Sequence, residues 1–256
     1  MCEILGFTAQ NACDVTEYLH EFYRHSMVHS HGYGMIWQTD GVVRSTKEPL
    51  QASESTVLPV ILKAMPKQTL TLAHIRYATE GAVQRCNCHP FMETDAEGRV
   101  WHFMHNGLVY KGDSLEKYRA VQHGSTDSER ILLFMVDMLN AEIREKGMLS
   151  DAERIKVIER ATVKQSAFNK LNYLLFDGEL LYVHKNLVGT MYYKDLPDGV
   201  VIATSPLDKG IWKDFPMMAL CVYKNGEKVY EGTPHGYEFI PNEDYKRRKA
   251  AMPVMK

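Results

Sequence analysis

The sequence predicts an α+β fold in which two mainly antiparallel sheets are faced by helices. Strand-like runs occupy both ends of the chain and enclose a helical middle, which separates the two structure types along the sequence. Asp-Gly or Asn-Gly stands between apolar runs at 40–41, 177–178 and 225–226, the strongest short-range hairpin signal. Two consecutive segments after Asp127 carry apolar residues at helical spacing.

Taken in order, Glu3 to Thr8 reads as a strand, and Asp14-Val15-Thr16-Glu17 as the acidic start of a helix running to about His25. MIWQTDGVVRST reads as a hairpin about Asp40-Gly41. Ser53 to Met65 reads as a helix stopped by Pro66, followed by the strand TLTLAHIRY. TEGAVQRCNCHPFMETDAEGR is polar and without periodicity, so it reads as a long loop of the kind that forms lids and binding surfaces. A strand near VWHFMHNG precedes the helices SERILLFMVDMLNAEIREK and DAERIKVIERATVKQSAFNK. NYLLFDGELLYVHKN is a hairpin, VVIATS a buried strand, and ALCVYKNGEKVYEG a last hairpin. The basic tail after Tyr245 is expected to fray. No repeat, low-complexity tract or linker divides residues 1–256, which are read as one domain.

With 45% hydrophobic and 24% charged residues and a net charge of −2, the composition is that of a globular protein with no electrostatic reason to bind nucleic acid. The N-terminus lacks a basic start and a long apolar stretch, and no apolar run has membrane-spanning length, so a cytoplasmic, non-membrane protein is expected. Cys2, Cys13, Cys86, Cys88 and Cys221 are odd in number and unevenly spaced, which argues for free thiols rather than a disulfide framework.

Four short stretches can carry chemistry. In MCEILGF, removal of Met1 would leave Cys2 with a thiol and a free α-amino group, whose reference pKa of about 7.7–8.0 suits a general base. A first core strand around Ile4, Leu5 and Phe7 is the competing reading. In HIRYATEG, Arg76 stands at a strand end before the long loop, where it can grip a carboxylate or make a surface ion pair. In MHNGLV, Asn106-Gly107 is either a turn or two donors, an amide NH2 and a backbone N–H, aimed at one oxyanion. In GSTDSER, Asp127 is either part of a helix cap or an acceptor for a substrate ammonium. Cys86-x-Cys88-His89 does not match a structural zinc pattern, and neither metal nor cofactor is expected. His29, His31, His74 and His105 are expected to be hydrogen-bonded structural residues.

Together, the CEILG strand, HGYGM at 31–35, HIRYATEG at 74–81, NCHPF at 87–91, HNG at 105–107, TDSE at 126–129 and ATSPL at 203–207 resemble the class II glutamine amidotransferases, which are N-terminal nucleophile hydrolases. The resemblance is nearest to their stand-alone members and spans nearly the whole chain. It implies a four-layer αββα sandwich with Cys2 as the first residue of the mature chain. It further implies Cys2 as nucleophile with its α-amino group as base, and Asn106 and Gly107 as the oxyanion hole. Arg76 and Thr79 would hold the substrate carboxylate, Asp127 its α-ammonium, and Tyr77 would help gate a glutamine loop. The implied substrate is glutamine or a γ-glutamyl small molecule, with a separate ammonia-accepting subunit as a further partner. His31 stands where relatives often have an acid, a departure that bears on the surroundings of the nucleophile. A non-catalytic scaffold or regulatory subunit that keeps the fold is the alternative, weakened because the full residue set is present.

Overall fold

Alternating burial along the strands decides how the molecule layers. The computed structural model describes residues 2–253; Met1, whose removal the sequence reading requires, lies outside them. Within them, the strands are β1 (Glu3–Cys13), β2 (Tyr33–Thr39), β3 (Val42–Glu48), β4 (Gln68–Ile75), β5 (Phe91–Thr94), β6 (Val100–Leu108), β7 (Lys170–Phe176), β8 (Leu180–His184), β9 (Tyr192–Leu196), β10 (Gly199–Ala203), β11 (Lys213–Asp214), β12 (Cys221–Lys224) and β13 (Glu227–Glu231). The helices are α1 (Thr16–Arg24), α2 (Leu58–Ala64), α3 (Asp127–Lys146), α4 (Asp151–Ser166) and α5 (Glu243–Ala250). One sheet has the order β11-β9-β10-β1-β4-β2-β3 and the other β13-β12-β8-β7-β6-β5, with every pairing antiparallel.

The two-residue period of β1 shows the principle. Leu5 and Phe7 face helix α1, where they pack with Leu19 and Phe22, whereas Ile4 faces the second sheet and packs with Met104 and Leu174. Ile36, Leu72 and Ile202 join that middle layer from the first sheet, and Phe176, Leu181 and Val183 from the second. On the far side, Phe103, Leu171 and Tyr173 meet Ile131 and Met135 of α3 and Ile155 and Ile158 of α4. Helix, sheet, sheet and helix therefore stack in the expected four layers. No helix among the described residues is long and apolar enough to cross a membrane.

The predicted hairpins form at Asp40-Gly41, Asp177-Gly178 and Asn225-Gly226, with positive φ at Asp40, Gly41, Gly178, Asn225 and Gly226. Other expectations are corrected. β1 runs on to Cys13, and the helix placed at Ser53 begins properly at Leu58, with Pro59 in its first turn. The long loop contains β5, paired to β6 from Phe91↔Phe103 to Thr94↔Val100. The tail that was expected to fray contains α5, whose Asn242 side chain caps the Tyr245 N–H at 2.8 Å and whose Tyr245 is buried. Helix α4 stops at Ser166, so Lys170 opens strand β7 rather than closing a helix.

The β7–β8 turn is fixed by a fully buried acid. Asp177 accepts from the Glu179 and Leu180 N–H groups at 2.9 and 2.7 Å, and from Arg154 Nε and the Tyr182 hydroxyl at 3.0 Å each. Asp177→Ala leaves the buried Leu180 N–H, the Tyr182 hydroxyl and Arg154 Nε without their acceptor, although Asp151 and Glu179 still hold Arg154 Nη2, so it is expected to destabilise folding by about 3 kcal/mol. A urea midpoint equal to that of the unmutated protein would refute this.

Candidate active site

Antiparallel pairing of β1 with β4 matches Glu3 to Ile75, so Cys2 and Arg76 come side by side at the same sheet end. Asp127 arrives from the other layer as the first residue of α3, behind the Thr126 cap whose Oγ1 accepts from the Glu129 N–H at 3.3 Å. Cys2, Arg76, Tyr77, Thr79, Gly107 and Asp127 line one small cavity together with Glu80, His89, His105 and Ser128. Its volume is about 20 Å³, room for little more than a water molecule. Asn106 is not among the lining residues and sits buried just behind it on β6. Larger clefts of about 580 and 550 Å³ lie elsewhere, by Arg99 and Asp177 and by Trp37 and Arg44, and share none of these side chains.

The cysteine is a half-buried free thiol, its sulfur directed at the Tyr77 carbonyl oxygen at 3.6 Å. Arg76 is buried, and its guanidinium donates to the carbonyl oxygens of Ala82 at 3.1 Å, Glu80 at 2.8 Å and Gly81 at 3.1 Å. The arginine thus holds the chain just after it in a tight return. That return is tied down elsewhere as well. Glu80 meets Arg130 of α3 at 2.8 Å, Asn87 donates to the Ala82 carbonyl at 3.0 Å and accepts from the Ser125 N–H at 2.8 Å, and Arg248 of α5 donates to the Thr79 carbonyl at 3.1 Å.

His31, the departure noted in the sequence, accepts the Ala78 N–H on Nδ1 at 2.8 Å and lies against the Tyr77 ring at 4.9 Å. Burial and the nearby Arg76 charge lower its pKa, which favours the neutral ring that can accept. It therefore shapes the turn from β4 into the loop.

Asp127 Oδ2 accepts the Val109 N–H at 3.0 Å, and Oδ1 accepts the Ser128 hydroxyl at 3.3 Å. Burial raises its pKa. Ser128 Oγ also bonds His105 Nδ1 at 2.9 Å, while His105 Nε2 faces the Lys170 carbonyl at 3.3 Å. His74 Nε2 faces the His105 carbonyl at 3.3 Å and His29 Nδ1 the His25 carbonyl at 2.8 Å, so the histidines singled out in the sequence are hydrogen-bonded as expected. His89 was not singled out there for a role. It is buried, stacks on His74 at 3.8 Å, and has no hydrogen-bond partner for either ring nitrogen among the described residues; burial pushes its pKa well down.

Thr204, in the middle of ATSPL, joins the first strand to the buried asparagine. Its Oγ1 accepts from the Ile4 N–H at 3.0 Å and stands 3.4 Å from Asn106 Nδ2. On the opposite side of that amide is Lys170, which the sequence reading passed over because it placed the residue at a helix end. All five cysteines are free, and among the described residues no three His, Cys, Asp or Glu side chains group as ligands for a metal ion.

Two facing antiparallel sheets between helix layers, with Cys2 just ahead of the central strand β1, make the four-layer arrangement of the N-terminal nucleophile fold. The structure superposes on the glutamine phosphoribosylpyrophosphate (PRPP) amidotransferase from B. subtilis, solved with ADP and GMP, with a TM-score of 0.67, 15% identity and coverage of 93% of this chain and 50% of that one. The family model for class II glutamine amidotransferases matches residues 1–196, and the chain belongs to that family. An uncharacterized protein of Methanocaldococcus jannaschii is 28% identical over 257 residues, covering 90% of this chain and 71% of its own length. A Haemophilus influenzae protein bearing the name "Putative glutamine amidotransferase" is 28% identical over 263 residues, covering 91% and 88%. The chain thus spans half the length of the Bacillus enzyme it resembles in fold.

Proposed function

We propose that the protein hydrolyses the side-chain amide of glutamine, or the amide of a related γ-glutamyl compound, through a thioester on Cys2. The observation that carries this reading is the convergence of Cys2, Arg76, Thr79, Gly107 and Asp127, far apart in sequence, on one cavity. Once Met1 is gone, the α-amino group of Cys2 takes the thiol proton and the thiolate attacks the amide carbon. Negative charge then moves to the carbonyl oxygen, where the Asn106 amide and the Gly107 N–H are the donors. Collapse breaks the C–N bond, and the leaving nitrogen takes its proton from the α-ammonium. Water, activated by the same amine, opens the thioester to release glutamate.

Arg76 and Thr79 hold the substrate α-carboxylate and Asp127 its α-ammonium, so the two charged groups on the α-carbon are each met by an opposite charge. A cavity of about 20 Å³ cannot admit a glutamine. Residues 78–82 therefore swing aside, with Tyr77 at the hinge, and Arg76 exchanges loop carbonyls for carboxylate as they reclose. Closure keeps water from the thioester until the amine has left. The chain acts as one domain, and ammonia made there passes either to solvent or to a separate acceptor subunit.

The deciding experiment offers purified protein with an intact Cys2 terminus L-glutamine, γ-glutamyl amides and γ-glutamyl peptides, and measures ammonia, amine and glutamate. Fast turnover of glutamine supports an ammonia donor, fast turnover of one conjugate supports a γ-glutamyl hydrolase, and no product from any of them refutes both.

Asp127→Asn tests the ammonium contact. A carboxylate whose pKa is raised loses its charge at a higher pH than usual, so KM of the unmutated protein rises as pH falls through that raised value. The asparagine variant is expected to show a KM higher by about 100-fold, since one partner of a buried charge pair is gone, and no such acid limb. An unchanged KM would remove Asp127 from the site.

A further inference from the structure

Lys170 is a buried titratable residue that the proposed reaction does not use. It is 1% exposed, and its Nζ donates to Asn106 twice, to the backbone oxygen at 2.8 Å and to Oδ1 at 2.7 Å. No carboxylate pairs with it among the described residues. Lysines are almost never fully buried without such a pair, because desolvating the ammonium is costly. The charged and titratable groups that face it are Cys2 at the head of β1, Lys249 on α5 and His105 on β6. A buried cation that spends two donors on one asparagine calls for an explanation that packing does not supply.

The chemistry of the two side chains supplies one. A carboxamide has two ends of similar size, and either can face a neighbour. An ammonium has three donors and no acceptor, so the end turned to Lys170 must be the oxygen. The NH2 end is thereby forced to the other side, toward Thr204 Oγ1 at 3.4 Å, beside strand β1, which Cys2 immediately precedes. The same ammonium pulls electron density from the amide oxygen and makes the NH2 a stronger donor.

We propose that Lys170 is the positioning residue of the oxyanion hole: its ammonium locks the Asn106 carboxamide with the NH2 facing Cys2 and strengthens that donor as the tetrahedral oxyanion forms. This rests on the reading of Asn106 as an oxyanion donor. Burial lowers the Lys170 pKa to about 7, against a smaller opposing pull from Cys2. Deprotonation leaves an amine with a lone pair, to which either end of the carboxamide can bond, so the lock loosens as pH rises. A developing negative charge at Cys2 favours the ammonium and tightens the lock when it is needed.

The test compares Lys170→Met with unmutated protein and with Cys2→Ala, using L-glutamine and γ-glutamyl-p-nitroanilide as probes. Methionine fills the volume and carries no charge, so thermal unfolding checks that the fold survives. The expected result is a kcat lower by about 30- to 100-fold with KM within about threefold, because an oxyanion donor acts in the transition state and not in substrate binding. The alkaline fall of kcat/KM in the unmutated protein should also vanish. A Lys170→Met kcat within about threefold of the unmutated value, beside an inactive Cys2→Ala, overturns the proposal while leaving the proposed function standing. Should Cys2→Ala match the unmutated protein, that function fails instead, and the lock is judged by NMR. Asn106 side-chain amide signals that shift as pH passes about 7 in the unmutated protein, and not in Lys170→Met, support the lock. Signals that stay put overturn it.

Discussion

Cys2→Ala is expected to lower release of ammonia or amine by at least about four orders of magnitude, because the substitution deletes the atom on which the proposed thioester would form. The free thiols Cys86 and Cys88 are not replacements. Cys86 meets Gln84, and Cys88 is buried against the Glu48 and Gln84 carbonyls, with burial pushing its pKa up to about 11. The loss cannot be ascribed to unfolding. Among the described residues the Cys2 sulfur makes one hydrogen bond, a long one to Tyr77 O at 3.6 Å, while Ile4, Leu5 and Phe7 carry the packing of the strand. Thermal stability of the variant should therefore stay within about 0.5 kcal/mol of the unmutated protein. Equal product release from both would defeat the nucleophile assignment. A companion measurement addresses the base: protein whose intact mass shows Met1 fully retained should be as inactive as Cys2→Ala, since its Cys2 nitrogen is an amide.

Which parts of this site could be read from the sequence follows from how local each signal is. Arg76, Asn106, Gly107 and Asp127 each sit in a short motif at a strand end or helix start, and β1–β4 pairing brings Arg76 beside Cys2 in the way that a strand-end arginine suggests. Lys170 had no local signal. It follows α4 without a Pro or Gly to mark the break, and only the pairing Leu108↔Lys170 reveals that it belongs to β7 and reaches Asn106. Thr204 stood inside a quoted motif, yet its bonds run to Ile4, 200 positions away, and to Asn106, 98 positions away. The strongly polar α5 hid behind its charge: a single buried Tyr245, the Asn242 cap and contacts to Thr79 hold it, none of which shows as periodicity. β9 was missed for a related reason, since its residues are half-exposed and lack an apolar face.

Gly107→Ala is expected to be the most damaging single-methyl change at the site. A Cβ at residue 107 would stand 1.9 Å from His105 Nε2 and 2.1 Å from the Lys170 carbonyl oxygen. The ring has little freedom, being buried and held by Ser128, and the carbonyl belongs to a β6–β7 ladder that continues through His102↔Phe176. Relief therefore requires the strands to part or twist at this point. Overpacking of this kind costs typically about 1–3 kcal/mol, and it displaces at once the Gly107 N–H, the Asn106 amide and the Lys170 contact behind it. Losing both proposed oxyanion donors should lower kcat by about three orders of magnitude or more, whereas Asn106→Ala, which removes one, should cost about two to three. Steady-state kinetics beside a urea unfolding curve separates the two effects. If Gly107→Ala kept near-normal kcat while losing stability, the β6–β7 junction would be a packing device and the oxyanion would have to be held elsewhere. If it kept both, the close approach of Lys170 to residue 107 would itself be wrong.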